Sequence, residues 1–396
     1  MDLGDLVSPL AQDEFLGQSF GRKFEIFEGP NGRFSDLLSW SALNDILRYH
    51  RLDSPRLRLM RGGKPIEPES YATLMRGTFE GEQYRQLRPG AFAEQLHSGA
   101  TLVLDSVDEL HGPVSDLTAA LERRLRVPVA ASAYASWGAT DGFGVHWDDH
   151  DVLVVQVAGR KRWSVYGPSR PWPLHRDVEP NRTPPAEPQA EFVLSDGDVL
   201  HVPRGWWHAV AAVDEPTLHV TFGITQPTGI DLVTWLADEM RADPRFRQDL
   251  PRYAGDEALI DHVAALRTAL LDVLDDKSVV TRFFSSQDAN APLRPRLSLP
   301  NAATADVIPG DNAFQVVFLA PRAMLRGEDD AVTLTADGQE WTFDSVARPL
   351  LERLLDGSRV ELQELVALAE GALDHATVRT FVAELVKVGL VAVEAS

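Results

Sequence analysis

The sequence predicts an α+β chain with a mainly β core, a closed barrel or jelly roll, followed by a helical region and a C-terminal segment in the order strand, helix, helix, helix, strand. Three observations predict it. Many short β-like runs separated by tight polar turns fill residues 100 to 228. After Gly229 the apolar spacing changes to that of helices. Near the end, Gly389 breaks a helical pattern just before the β-like LVAVE. At 396 residues the chain is long for one domain, and these changes divide it into 1–228, 229–311 and 312–396.

Residues 1 to 100 mix short helical patterns with turns, and PRLRLMRGGKPI (55–66) predicts a strand and hairpin around Gly62-Gly63. TLVLDSV (101–107) is β-like. Val114, Leu117, Leu121 and Leu125 mark an amphipathic helix, and VPVAASAYASW (127–137) and DVLVVQVAG (151–159) are strands. Residues 191–224 hold several short strands punctuated by Asp-Gly, Pro-Arg-Gly and Asp-Glu-Pro turns. Between these blocks the Pro-rich stretch 167–189 is expected to run over the surface near one mouth of the barrel. Leu232, Trp235, Leu236 and Met240, then Leu259, Val263, Leu266 and Leu270, give helical stripes that pack within the chain or against a second copy of it. In the last region Val378, Phe381, Val382, Leu385 and Val386 follow helical spacing, and the order of elements is that of a winged helix.

Composition excludes several function classes. With no cysteine, disulfides, thiolate zinc sites, iron–sulfur clusters and a thiol nucleophile are ruled out, so a metal would need His, Asp, Glu or backbone oxygen. The net charge of −21 opposes nonspecific nucleic-acid binding, which depends on Lys and Arg neutralising phosphates. Residues 331–396 carry 5 Lys/Arg against 11 Asp/Glu, so the winged-helix-like segment is expected to have a structural or interaction role. An acidic surface also attracts a basic partner, although solubility is the simpler explanation. No apolar run of about 18 residues occurs, and the start MDLGDLVSPLAQDEF lacks a basic and an apolar segment, so a cytoplasmic protein without membrane association is expected.

The chemistry gathers in two strings, GFGVHWDDHDVLVVQVAGRKRW (142–163) and GDVLHVPRGWWHAV (197–210). On a strand, His146 and Asp148 project to one face while Trp147 points away. His208, 62 residues after His146, supplies a second imidazole after a tight corner. Two histidines and a carboxylate leave about three octahedral positions open, a donor set suited to non-haem Fe(II) with a bidentate co-substrate and dioxygen. His150, His175, His201 and His219 are assigned non-ligand positions. Lys161, 15 residues after His146, would reach into the barrel, where a desolvated ammonium requires an anion. A dicarboxylate chelating the metal at one end would offer its far carboxylate there. Trp137, Trp147, Trp206 and Trp207 are expected mainly to pack.

These strings resemble the JmjC-type 2-oxoglutarate- and Fe(II)-dependent oxygenases, in particular the cupin-like ribosomal oxygenases. The resemblance implies a double-stranded β-helix, a helical dimerisation region over 229–311, a winged-helix-like domain over 312–396 and a homodimer. It assigns His146, Asp148 and His208 to the iron and Lys161 to the distal carboxylate of 2-oxoglutarate. It places Tyr134, Ser132 and Thr217 with Lys161 as co-substrate-binding residues, Tyr134 on the strand lining that pocket and Thr217, with His219, on the strand that closes it. Ser132 stands where the family commonly has asparagine, a departure that bears on how the co-substrate or the target side chain is held. The implied activity is hydroxylation of a side chain of a protein or peptide, an Arg or His of a basic ribosomal protein being the candidate. N-methyl demethylation by the same mechanism, a non-catalytic metal-binding cupin scaffold and a small peptide natural product as substrate are the alternatives.

Overall fold

The computed structural model describes the chain except residues 80, 139–141, 175–182, 214, 329 and 396. It forms two compact units, Met1–Gln226 and Pro227–Ser396. The first unit contains α1 (Leu3–Val7), α2 (Gln12–Gln18), β1 (Glu25–Phe27), α3 (Trp40–Tyr49), β2 (Leu57–Arg61), β3 (Lys64–Pro65), β4 (Ala72–Arg76), β5 (Gln83–Leu87), α4 (Pro89–His97), β6 (Thr101–Leu104) and α5 (Gly112–Leu125). It continues with β7 (Val129–Ser136), β8 (Asp151–Ala158), β9 (Lys161–Pro168), β10 (Ala190–Leu194), β11 (Val199–Val202), β12 (Trp206–Ala212) and β13 (Thr217–Ile224).

Two antiparallel sheets face one another. The larger runs β1-β11-β8-β13-β7-β6-β2-β3 and the smaller β10-β9-β12, so from β8 onward the chain repeatedly crosses between sheets, as a jelly roll does. The first crossing turns at Gly159, whose φ of 65° and whose position against the Pro216 carbonyl, 2.3 Å from where a Cβ would stand, leave room only for glycine. The near-continuous apolar run of β8 follows from burial on both faces. Leu153, Val155 and Val157 belong to the core that also holds Leu3, Phe15 and Leu117 from the helices. Val152 and Val154 belong to the core between the sheets, with Trp163, Leu194 and Leu200.

Polar residues occupy the other positions of the inner face. The registers set three rows across the larger sheet. Ser136 faces Thr217 and bonds Thr101 (3.1 Å between hydroxyls), Arg58 faces Val103, which faces Tyr134 and then His219, and Ser132 faces Thr221. The alternation in SAYAS and TLHVT therefore puts alanine and aliphatic side chains on the outer core and hydroxyl and ring groups inside.

The second unit holds α6 (Gly229–Glu239), α7 (Pro244–Arg247), α8 (Asp256–Asp275) and α9 (Val279–Ala289). It goes on to β14 (Phe314–Phe318), β15 (Met324–Glu328), β16 (Ala331–Ala336), β17 (Gln339–Asp344), α10 (Arg348–Leu355), β18 (Val360–Glu361), α11 (Leu362–Leu368), α12 (His375–Lys387) and β19 (Val391–Ala395). Its core joins Phe314 and Val316 to Leu350, Leu354, Val378, Val382 and Leu385. Here the structure is richer than the order expected from sequence. The first and last strands pair as β18-β14-β19, and a three-stranded meander, β15-β16-β17, is inserted before the helices. Its outer strand β17 alternates exposed and half-buried residues, a weak apolar signal in the sequence.

Candidate metal centre and its pocket

Ligand atoms of His146, Asp148 and His208 all lie within 4.8 Å of one another, with His208 Nε2 3.6 Å from an Asp148 oxygen. The expectation that His146 and Asp148 share a strand is corrected here. Both precede β8, and His146 makes only an isolated bridge with His208. Backbone bonds from His146 N to His208 O (3.0 Å), His208 N to His146 O (2.7 Å) and Gly205 N to the Asp148 carbonyl (2.9 Å) clamp the motif to the Pro-Arg-Gly-Trp-Trp corner. A register irregularity between Trp207 and His208 sets the second histidine on β12.

Each histidine is oriented by a carbonyl two residues upstream. His146 Nδ1 donates to Gly144 O at 3.1 Å, and His208 Nδ1 donates to Trp206 O at 3.0 Å, the only role a carbonyl leaves them. That fixes both tautomers with Nε2 as the free donor atom, the arrangement a metal requires. Gly144 adopts a φ of 69° to present its carbonyl this way. Burial, and then the neighbouring His146, push the His208 pKa down to about 4, against the pull of Asp148. Its imidazole is therefore neutral and available at neutral pH. This set of two imidazoles and one carboxylate fits Fe(II).

A cavity of about 230 Å³ adjoins the triad, lined among others by Arg58, Tyr134, Lys161, Trp163 and His219. Lys161, at the start of β9, is 2% exposed and has no ion pair among the described residues. Burial lowers its pKa from 10.5 to about 7. His219 is pushed well down by burial and then by the Lys161 charge, and stacks on Tyr134 at 4.9 Å. Burial, followed by the charge of Asp148, raises the Tyr134 phenol. Arg58 Nε, Trp163 Nε1 and His219 Nδ1, of residues on these walls, are buried without a hydrogen-bond partner among the described residues. Unpaired polar atoms of this kind cost free energy unless a polar ligand meets them, and a buried cation beside a metal triad fits the dicarboxylate 2-oxoglutarate.

The other sequence-selected residues divide. Tyr134 and His219 line the cavity. Ser132 and Thr217 share its face but do not line it, and Ser132 has a different occupation, donating to Asp105 Oδ1 at 3.0 Å. His150 is partly exposed and pairs with Asp149, and His201 is buried, bonded to Lys23 O at 3.0 Å with Asp151 at 3.7 Å. His175 and much of the Pro-rich stretch lie outside the described residues. Trp207 and Trp163 are buried, and Trp163 stacks on His208 at 5.6 Å. Sequence reasoning missed Arg58, Thr101, Phe143 and Trp163. The period-two polarity of β7 and β13 was the available signal for an inward polar wall.

Residues 112–232, which carry the triad and Lys161, match the JmjC domain family. The chain is similar to the "Bifunctional lysine-specific demethylase and histidyl-hydroxylase NO66" of Drosophila pseudoobscura pseudoobscura, 26% identical over 238 residues that cover 57% of this chain and 23% of that protein. It is also similar to "Ribosomal oxygenase 1" of Gallus gallus, 28% identical over 282 residues covering 67% of this chain and 45% of that one. The chain thus spans less than half the length of these relatives. Among solved structures, the fold matches Escherichia coli ycfD with a TM-score of 0.61 at 21% identity, covering 98% of this chain and 99% of that one. A structure of the same ribosomal oxygenase in complex with cobalt and 2-oxoglutarate matches with a TM-score of 0.60 at 20% identity, again over 98% and 99% of the two chains. The jelly-roll fold is therefore shared with these structures, and the fold match extends along nearly the whole chain.

Proposed function

We propose that this protein is a 2-oxoglutarate- and Fe(II)-dependent oxygenase that hydroxylates a side chain of a protein or peptide. The single observation that carries the reading is the unpaired, buried Lys161 in the same cavity as the His146–Asp148–His208 cluster. A structural metal site needs no buried ammonium beside it, whereas a chelating dicarboxylate does. Bound Fe(II) and 2-oxoglutarate supply oxidative decarboxylation, in which 2-oxoglutarate, dioxygen and a C–H bond give succinate, carbon dioxide and an alcohol.

The chain's own residues do the positioning. His146, Asp148 and His208 hold the metal through atoms left free by the Gly144 and Trp206 carbonyls. Lys161 binds the distal carboxylate and regains its proton in doing so. Val152, Val154, Trp163 and Val210 on the cavity wall exclude water from the reacting groups. The relatives' names include both demethylase and hydroxylase, and one site serves both reactions. Loss of formaldehyde marks demethylation, and a retained oxygen marks hydroxylation.

The assembly is proposed to be a homodimer in a cytoplasmic setting, with 229–311 as the dimerisation region and 312–396 as a winged-helix-like interaction domain. In support, α6, α8 and α9 expose Ile230, Val233, Ile260, Val263 and Phe284, each about half or more accessible. No helix among the described residues is long and apolar enough to cross a membrane. Incubation of the purified protein with Fe(II), 2-oxoglutarate, oxygen and purified ribosomal proteins tests the reading. A gain of one oxygen on a defined peptide, with equimolar succinate, is expected. Metal binding without succinate formation would return the protein to the non-catalytic cupin alternative.

A further inference from the structure

Arg58 belongs to the pocket and to no step above. It stands on β2 opposite Val103 of β6, three strands across the larger sheet from His219, while Lys161 stands on the smaller sheet. The guanidinium lines the cavity and its Nη2 pairs with the carboxylate of Asp105. The other Asp105 oxygen accepts from the Ser132 hydroxyl at 3.0 Å. Arg58 Nε is buried and has no partner among the described residues.

We infer that Arg58, held by Asp105 and Ser132, determines which target side chain enters the pocket, admitting an uncharged hydrogen-bond acceptor such as an imidazole or carboxamide in preference to a guanidinium or ammonium. The inference rests on the oxygenase reading. A cationic target needs a carboxylate, and among the described residues that line the cavity the sole carboxylate is Asp148, which belongs to the triad. Asp105, behind Arg58, has each oxygen committed. An arriving guanidinium would instead meet the Arg58 guanidinium, and like charges at an interface cost several kcal/mol when fully desolvated. Arg58 is about a third exposed, so screening reduces this to discrimination on the order of tenfold. An acceptor, by contrast, can take a hydrogen bond from the guanidinium that lines the cavity. Lys161, on the opposite sheet, already provides the charge that the dicarboxylate requires. The serine at 132 thus serves the target side of the pocket, since its hydroxyl donates to the carboxylate that holds Arg58.

The test measures binding of Ac-Gly-X-Gly-NH2 tripeptides, with X as His, Asn, Arg or Lys, to the Zn(II)-substituted full chain with 2-oxoglutarate. Ligand-observed NMR at pH 8, where a free imidazole is neutral, gives the affinities, and 2-oxoglutarate binding is followed in the same samples. The His and Asn peptides are expected to bind wild type on the order of tenfold more tightly than the Arg and Lys peptides. Arg58→Met exposes an uncompensated Asp105 and should reverse that order. Asp105→Asn keeps the guanidinium without its counter-charge and should weaken the cationic peptides further. Equal or tighter binding of the Arg peptide to wild type, an unchanged order in both variants, or no peptide binding at all would overturn the inference. Failure of 2-oxoglutarate to bind wild type would instead overturn the oxygenase reading itself.

Discussion

Replacing Lys161 with methionine should move two properties in opposite directions. The side chain is 2% exposed, and burial alone lowers its pKa from 10.5 to about 7. At roughly 1.4 kcal/mol per pH unit, this places the cost of burying the unpaired amine near 5 kcal/mol at neutral pH. Relaxation and water entering the cavity cut this, so Lys161→Met, of similar length and apolar, should stabilise the ligand-free protein by about 2 kcal/mol. The same change removes the charge partner of the distal carboxylate. Truncating one member of a buried ion pair costs about 3 kcal/mol or more, which corresponds to weakening of over 100-fold for 2-oxoglutarate. Thermal unfolding of the metal-free proteins and isothermal titration of the metal-loaded ones with 2-oxoglutarate read the two effects separately. A lower melting temperature together with an affinity within about threefold of wild type would refute the assignment, because Lys161 would then be a structural residue.

The titration of Lys161 also sets a pH dependence. The depressed folded-state pKa means that the unfolded chain binds more protons between about 7 and 10.5, so ligand-free stability rises with pH across that window. Binding the dicarboxylate raises the pKa again, so 2-oxoglutarate affinity should be flat below pH 7 and fall by up to about tenfold per unit above it, measured by titration from pH 6 to 9. His208→Ala should weaken Fe(II) binding by at least about 100-fold in anaerobic titration, since it removes a ligand and not merely a group that orients one. Gly144→Ala meets no atom within 4 Å but must hold a φ of 69°. It should destabilise by about 1 kcal/mol and weaken metal affinity roughly tenfold by turning the carbonyl that orients His146. Val263→Glu on α8 should convert the proposed dimer to a monomer in sedimentation velocity, and an unchanged sedimentation coefficient would argue against that interface.

Much of the site was legible because its ligands come from short, contiguous strings. The spacing His146-x-Asp148, the Gly-Asp to Pro-x-Gly corner before His208, and a lysine opening the next strand each survive without knowledge of the register. The local conformation of the motif was not legible. His146 and Asp148 precede the strand, because their backbone bonds go to His208 and Gly205 across the sheet. Arg58 was invisible for a different reason, being far upstream in a hairpin whose sequence does not say where its basic face will lie. Only the pairing of β2 with β6, and of β6 with β7, carries that face to the inside of the pocket. In the second unit, the helices of 348–387 have long apolar stripes that declared themselves, whereas the outer strand β17 of the meander alternates exposed and half-buried residues and gave a weak period-two signal, although the middle strand β16 is largely buried.

The most direct test of the central claim is an anaerobic titration of wild-type protein and Lys161→Met with Fe(II) and 2-oxoglutarate, monitoring the visible charge-transfer absorption of the chelate. A band that forms in wild type at micromolar co-substrate and requires far higher concentrations in the variant is predicted. Fe(II) binding with no band in wild type, or a band equally strong in both proteins at low co-substrate, would contradict the account.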